Sequence, residues 1–208
     1  YLELLAPLSL RAELRGSPIG AERERAEQAL EAAAAGRRVV VVSSGDAGVY
    51  GMGSLLLETA DQQPAVEVEL VPGVTAATAA AALLGAPLGH DFACISLSDL
   101  LTPWEVIEKR LEAAGQGDFV VALYNPLSRR RTWQLPRARE LLLPYRRPET
   151  PVGLVQKAYR PGMRLWHTTL GQLTPDGVTM ETLLIIGSST TRMSRGRMVT
   201  PRGYEQPP

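Results

Sequence analysis

The hydrophobic pattern of the first half is centred on an unbroken apolar run that ends in a glycine-rich turn. Arg37 to Ser43 contains four consecutive valines, and this pattern predicts a strand that is covered on both faces, as in a parallel sheet. The other elements predicted before residue 100 are helices over Ala21 to Ala35, over Val49 to Ala60 and from Ala76 onward, and strands over Val66 to Leu70 and Phe92 to Leu97.

The second half is richer in strands, and it predicts a mixed sheet. Asp118 to Tyr124 repeats the apolar strand and stops at Asn125-Pro126. Because proline cannot sit in a helix interior, Pro136 requires the helix within Ser128 to Leu143 to start late or to kink. The remaining predicted elements are a helix over Trp104 to Ala114, strands over Val152 to Gln156, Met163 to Thr169 and Thr182 to Ile186, and a terminal strand or tail over Met198 to Gln206. We place a domain boundary near residue 100, giving α/β domains over 1–99 and 100–208.

The turn after the first buried strand is a candidate ligand site. In open α/β sheets, ligands bind beyond the carboxyl ends of strands, where glycines let the backbone approach closely. Asp46 lies in this turn, and its carboxylate suits ribose hydroxyls or an amino group better than a phosphate. A tight connection without a ligand is the alternative interpretation. The stretch carries neither the dinucleotide glycine fingerprint nor a Walker loop.

Composition narrows the function classes. The chain has 208 residues, with 22 basic and 22 acidic side chains. This balance argues against a nucleic-acid or anionic-membrane binder. The single cysteine, Cys94, and two distant histidines, His90 and His167, predict neither an internal disulfide nor a metal cluster. We find no membrane span and no signal peptide, and we expect a cytoplasmic protein.

Two further features allow a functional and a structural interpretation. Thr75 precedes the small-residue helix, where it can contact a ligand or only cap the helix. A basic cluster follows the Asn125-Pro126 turn and includes Arg129, Arg130 and Arg131. Arginine pairs bidentately with carboxylates, so this cluster can hold an acidic ligand, or it can be a solvated helix face.

The turns taken together resemble a known family. SSGDAGVYGM, VPGVTAATAAAALLGAPLG, FVVALYNP and LLIIGSSTTR, in that order, are similar to the tetrapyrrole methylases, which use S-adenosylmethionine to methylate corrin and sirohaem precursors. SLSDLLTPWEVIEKRL, YNPLSRRRTWQL and the terminal TPRGY resemble the branch that methylates carbon 17 of precorrin-3B in cobalamin synthesis. The resemblance covers essentially the whole chain.

The resemblance implies two α/β domains, the first mainly parallel and the second mixed, with the cofactor in the cleft between them. It also implies a homodimer, a tetrapyrrole substrate, and cofactor contacts made mostly by the backbone. The positions that match the family's cofactor contacts are Ser44, Gly45, Asp46, Val49, Thr75, Ala76, Asn125, Ala158 and Thr182. For the substrate carboxylates we predict Arg129, Arg130 and Arg131.

Three departures from the family pattern stand out. The family's first strand and its Gly-x-Gly-Pro-Gly loop are not in the sequence, so we expect that this chain is not the complete natural protein. Ala47 stands where the family usually has proline, which loosens the turn but keeps backbone contacts possible. Ser188 stands where the branch often has asparagine, a change that nothing in the sequence explains.

Methyl transfer from a sulfonium needs mainly in-line positioning, because the methyl carbon is already electrophilic and the macrocycle supplies the nucleophile. In this branch methylation at carbon 17 accompanies ring contraction, which requires a proton donor or acceptor. Asp46 and Tyr124 are the candidates, although a binding role is expected for each. The alternatives that stay open are a methylase for another tetrapyrrole position, a nucleotide-binding α/β enzyme and a noncatalytic member of the family.

Overall fold

The computed structural model describes residues 2–204, and the chain divides into two compact units, Tyr1–Thr75 and Ala76–Pro208. Each unit is described by itself below. The predicted boundary between residues 99 and 100 differs from this division, and it stays a prediction of the domain limits. No helix among residues 2–204 is both long enough and apolar enough to cross a membrane.

The first unit is helical. Its helices are α1 (Leu2–Leu5), α2 (Glu22–Ala34) and α3 (Gly53–Ala60), with one turn of 3-10 helix at Ala6–Leu8. Helix α2 confirms the prediction to within one residue at each end. Helix α3 begins four residues later than predicted, because the preceding chain folds into a turn that the Gly53 N–H closes onto the Ala47 carbonyl at 2.8 Å. A small core joins the two longer helices through Ala26, Leu30, Met52 and Leu56.

The strands predicted over Arg37 to Ser43 and Val66 to Leu70 do not form, so the first unit carries no mainly parallel sheet within residues 2–75. The valine run is exposed instead, with Val40 at 84%. A β-strand needs a neighbouring strand that pairs with its backbone N–H and C=O groups. No segment of residues 2–75 pairs in this way with either stretch. Val41, Val66 and Val68 still pack against the helical core.

The second unit is built on a five-stranded mixed sheet, which confirms the α/β class and the predicted mixed sheet. The strands are β2 (Phe92–Ser96), β3 (Val120–Tyr124), β4 (Pro151–Gln156), β5 (Arg164–Thr169) and β6 (Thr182–Ile186). Their order in the sheet is β2-β3-β6-β4-β5, with β2 and β3 parallel and the other pairs antiparallel. All five lie within three residues of the predicted ends.

Helices cover both faces of this sheet. One face packs against α5 (Trp104–Gln116) and α6 (Gln134–Leu142), and the other packs against α4 (Ala76–Leu84). Helix α6 starts late, as Pro136 requires, and places this proline in its first turn. Short 3-10 turns follow at Leu143–Tyr145 and Leu170–Gln172.

Helix α4 approaches the sheet closely because its contact face is made of alanines. Beneath this helix, strand β4 has Gly153, where an added Cβ would lie 2.5 Å from Cδ2 of Leu84 in α4. The small residues of the helix and the glycine of the strand therefore set the distance between α4 and the sheet.

A second, three-stranded sheet has the order β1-β8-β7. Its strands are β1 (Gly85–Ala86), β7 (Arg192–Ser194) and β8 (Arg197–Val199). The hairpin of β7 and β8 turns at Arg195 and Gly196, both with positive φ, as two-residue hairpin turns require. We predicted a terminal strand or tail over Met198 to Gln206; β8 covers its start, and residues 205–206 lie outside the described part of the chain.

Candidate functional site

The glycine-rich turn of the first unit is organised by the side chain of Asp46. Its Oδ1 accepts the Gly48 N–H and its Oδ2 accepts the Gly73 N–H, both at 2.8 Å. The carboxylate therefore ties the turn to a loop 27 residues further along the chain. Gly73 is needed there, because a Cβ on it would overlap the Gly45 carbonyl oxygen.

These contacts also set the charge of Asp46. The Gly73 N–H, followed by the Gly48 N–H, holds the pKa of the carboxyl below its usual value. Hydrogen bonds to the ionised form favour that form, so Asp46 carries its negative charge at neutral pH. A carboxyl held in this way is a weak proton acceptor, and its two oxygens bind backbone N–H groups.

The other positions predicted in the first unit lie around this turn. Ser44 and Gly45 are exposed, and Val49 is half-buried and donates its N–H to the Asp46 carbonyl at 3.2 Å. Thr75 is half-buried and is the residue immediately before α4.

In the second unit the strand register brings the predicted residues to one edge of the large sheet. The carboxyl ends of β2, β3 and β4 and the amino end of β6 lie at this edge, because Ser96 pairs with Tyr124 and Gln156 pairs with Thr182. We call it the carboxyl edge. Asn125 follows β3 and Ala158 follows β4, so both lie in loops that leave the carboxyl edge.

Asn125 connects two of these loops. It adopts a left-handed backbone with φ of 51°, which asparagine tolerates better than most residues. Its Nδ2 donates to Ser96 Oγ at 3.0 Å, and its carbonyl accepts Nε of Arg131 at 2.9 Å. Ser96 Oγ also accepts the Ser98 N–H at 3.2 Å, so the loops after β2 and β3 form one hydrogen-bonded unit.

The hydroxyl of Tyr124 lies at the amino end of α4, where its Oη accepts the Ala77 N–H at 2.9 Å. This contact satisfies one of the backbone N–H groups that a helix leaves unpaired at its start. Ala76, a predicted cofactor contact, is the first residue of the same helix. Burial raises the pKa of the neighbouring Cys94 thiol, while its hydrogen bond with Tyr124 lowers that pKa by less.

The loop after β4 has an unusual backbone. Lys157 and Tyr159, on either side of Ala158, both have positive φ, near 55°. The ammonium of Lys157 lies 3.4 Å from a Glu181 carboxylate oxygen and helps to hold the loop. Thr182 is buried, and its Oγ1 accepts the Thr179 N–H at 3.0 Å.

The predicted basic cluster separates into two kinds of arginine. The guanidinium groups of Arg129 and Arg130 are exposed and make no hydrogen bond with any residue of 2–204. Arg131 is buried and donates to Asn125 and to Ser98. The structure therefore does not present these three residues as one charged surface.

Sequence reasoning missed four polar residues at the carboxyl edge: Ser96, Ser98, Gln134 and Gln156. Nothing in the sequence indicates that Arg131 reaches back to Ser98. The side chains of Gln134 and Gln156 each have a buried Oε1 without a partner among residues 2–204. No pattern of spacing indicates such an atom, because it depends on how two loops meet.

The chain matches a known protein family and several named relatives. The pattern that defines the Tetrapyrrole (Corrin/Porphyrin) Methylases matches residues 4–174. A "Probable cobalt-factor III C(17)-methyltransferase" of Salmonella typhimurium is 54% identical over 184 residues, covering 88% of this chain and 76% of the relative. A "Cobalt-factor III methyltransferase" of Priestia megaterium is 46% identical over 211 residues, covering 99% of this chain and only 39% of that longer protein.

Solved structures of tetrapyrrole methyltransferases also resemble this chain. The crystal structure of the methyltransferase CobJ superposes with a TM-score of 0.90 at 41% identity, covering 97% of this chain and 86% of that one. A uroporphyrin-III C-methyl transferase from Thermus thermophilus, complexed with S-adenyl homocysteine, gives a TM-score of 0.57 at 25% identity, covering 80% of this chain and 73% of that one. The chain belongs to the tetrapyrrole methylases.

Proposed function

We propose that this chain is an S-adenosylmethionine-dependent methyltransferase that methylates carbon 17 of a corrin precursor, precorrin-3B or its cobalt form, in cobalamin synthesis. The observation that carries the proposal is the 54% identity to a cobalt-factor III C(17)-methyltransferase. The carboxyl edge of the second unit supports it, because the family's contact positions Asn125, Ala158 and Thr182 lie together there.

The residues of the carboxyl edge fit a nucleoside-like cofactor. Left-handed residues in the loops after β3 and β4 turn backbone groups away from the sheet ladder. Gln156 adds a buried Oε1 that lacks a partner among the described residues, next to Thr182 in the register. Polar backbone and a few fixed side chains are typical of sites that bind adenosine through shape and hydrogen bonds.

We propose contacts to the cofactor from each unit separately. In the second unit they come from Ala76, Asn125, Ala158 and Thr182, and in the first unit from Ser44, Gly45, Asp46, Val49 and Thr75. When bound, S-adenosylmethionine supplies an electrophilic methyl group.

The protein's part in the reaction is mainly positional. Asn125, braced by Ser96, fixes the loop that follows β3, and Tyr124 fixes the amino end of α4. Both contacts hold the backbone at the edge in one geometry, and fixed geometry is what in-line transfer requires. Asp46 and Tyr124 already bind backbone N–H groups, so we propose supporting rather than proton-transfer roles for them.

Calorimetric titration with S-adenosylhomocysteine tests the proposal. We expect one site per chain, no comparable binding of ATP or NAD, and methyl transfer to cobalt-factor III or precorrin-3B. Asn125→Gly keeps the left-handed backbone but removes the amide, so it should weaken cofactor binding several-fold. Gln62→Ala, at an exposed site, is the matched control. A wild-type chain that binds no S-adenosylhomocysteine would contradict the proposal.

Two coarser proposals accompany this function. We propose that the active form is a homodimer and that it works in the cytoplasm, as the resemblance to the tetrapyrrole methylases suggests. Sedimentation of the purified chain, with and without the cofactor, checks the first. Fractionation of the cells that express it checks the second.

A further inference from the structure

Arg131 is a buried cation without a counter-ion. Its residue is 9% exposed, and its Nε and Nη1 donate to the carbonyl of Asn125 at 2.9 Å and to Oγ of Ser98 at 3.2 Å. Both acceptors are neutral. No carboxylate within residues 2–204 forms an ion pair with it.

Arg146 shows how the same protein treats its other buried arginine. The Arg146 side chain is 1% exposed, and its Nη1 lies 3.0 Å from Oδ1 of Asp118. Buried charges in proteins are normally paired, because leaving water costs far more than neutral hydrogen bonds return. Arg131 departs from this rule, so its charge calls for an anion that the described chain does not provide.

Arg131 has a donor available for such an anion. Its Nη2 makes no hydrogen bond within the described residues, and it is not one of the fully enclosed atoms without a partner. Solvent or a ligand therefore reaches this nitrogen. The rest of the guanidinium is fixed by two loops, so the free N–H groups have a set direction at the carboxyl edge.

Gln134, three residues after Arg131, also has a buried side-chain atom without a partner among the described residues. It is 2% exposed, its Nε2 donates to Oδ2 of Asp99 at 2.9 Å, and its Oε1 has no partner among residues 2–204. The opposite amide orientation would place Oε1 against the Asp99 carboxylate, so the unpaired atom is the acceptor. Arg131 and Gln134 thus bind the adjacent residues Ser98 and Asp99 and leave one donor and one acceptor unused.

We propose that Arg131 binds a ligand carboxylate through Nη2. The inference rests on the proposed function, which offers two sources of this chemistry. One is the methionyl carboxylate of the cofactor, and the other is an acetate or propionate side chain of the tetrapyrrole. A charge-assisted hydrogen bond in a shielded position is strong in either case.

The experiment compares Arg131→Gln and Arg131→Lys with wild type, using three probes. S-adenosylhomocysteine carries the methionyl carboxylate, 5′-methylthioadenosine lacks it, and uroporphyrin III carries only tetrapyrrole carboxylates. We expect Arg131→Gln to lose about tenfold or more in affinity for S-adenosylhomocysteine or for uroporphyrin III, with methylthioadenosine unchanged. The probe that is lost identifies the source, and Arg131→Lys should restore part of the affinity because it keeps the charge.

Three comparisons separate a binding role from a loss of structure. Ser98→Ala removes the partner of Nη1 but keeps the charge, so it should affect affinity less than Arg131→Gln. Arg147→Gln changes an exposed arginine whose side chain makes no hydrogen bond or ion pair within residues 2–204, and the double variant of Arg129 and Arg130 to Gln tests the exposed pair. Wild-type affinity of Arg131→Gln for both carboxylate probes, or an equal loss for methylthioadenosine, overturns the inference. Failure of wild type to bind S-adenosylhomocysteine instead contradicts the proposed function.

Discussion

The hydroxyl of Tyr124 and the backbone N–H of Ala77 are joined by a 2.9 Å hydrogen bond that fastens the end of β3 to the start of α4. The helix packs on one face of the sheet that contains the strand, so this side chain fixes their relation at the carboxyl edge. The contact gives a structural role to Tyr124, which the sequence offered as a candidate proton donor or acceptor with a binding role expected.

Tyr124→Phe should therefore destabilise the protein by about 1 kcal/mol, because the Ala77 N–H loses its acceptor at the helix start. Urea unfolding followed by circular dichroism measures this change. Tyr145→Phe, whose hydroxyl makes only a 3.5 Å contact with Gln116, is the control and should change stability less. A large fall in kcat with stability unchanged would instead assign Tyr124 to proton transfer.

Asp46 predicts a pH dependence of stability. Its pKa is lowered in the folded state, chiefly by the Gly73 N–H and then by that of Gly48. Because the pKa of Asp46 is lower in the folded state, its ionised carboxylate stabilises the fold at pH values above the unfolded pKa of about 4. This stabilisation is lost as the pH falls through the folded pKa. We expect Asp46→Asn to lower Tm at neutral pH and to flatten the fall of Tm below about pH 4.

The measurement is a thermal melt at a series of pH values. Asp61→Asn, at an exposed position, is the control and should follow wild type. An Asp46→Asn curve that runs parallel to wild type at every pH would show that the ionisation of Asp46 contributes nothing to the pH dependence of stability.

Replacing Arg146 should cause a large loss of stability. Its guanidinium donates to the carbonyls of Gly115, Phe119 and Gly187 and pairs with Asp118. Because Arg146→Met leaves these carbonyls and a carboxylate without their partner, it should cost about 3 kcal/mol or more. Arg147→Met, one residue away on the surface, should stay within about 0.5 kcal/mol of wild type. Equal midpoints of the two variants in guanidinium chloride would refute the assignment.

Substitutions at Gly153 and Leu84 should be sterically coupled in their effects on stability. Gly153→Ala should destabilise the protein by about 1–3 kcal/mol, because its Cβ would lie 2.5 Å from Cδ2 of Leu84. In a double-mutant cycle, Leu84→Ala should remove most of that added cost, since the clashing atoms are gone. Additive losses in the double variant would mean that the strain arises elsewhere.

The second unit was predictable because its patterns are local. Strand β3 and strand β6 are unbroken apolar runs bounded by turn residues, and both were found within two residues of their predicted ends. Pro136 predicted a helix that starts late or kinks, and α6 starts late, since a proline is disfavoured in a helix interior. In each case one covalent property of the residue decides the local structure.

The first unit was not predictable in the same way. The valine run before Ser43 has the composition of a buried strand, yet pairing requires a neighbour that no local pattern supplies. The same limit applies to the candidate site: the sequence grouped Arg129, Arg130 and Arg131 by proximity, whereas burial separates Arg131 from the other two. Long-range contacts, such as that of Arg131 with Ser98, decide this difference.

Strand β7 leaves the outer side of the small sheet open within the described residues, and exposed strand edges recruit other chains into aggregates. Arg192 lies on this strand, and Arg195 and Arg197 lie in and just after its turn, all three exposed. The same arginines on a second copy would repel them, so we expect this charge to disfavour pairing of two copies along the edge. Because about 1 M salt shortens electrostatic screening to roughly 3 Å, concentrated salt removes that protection. Storage and crystallisation of this protein should therefore favour low ionic strength.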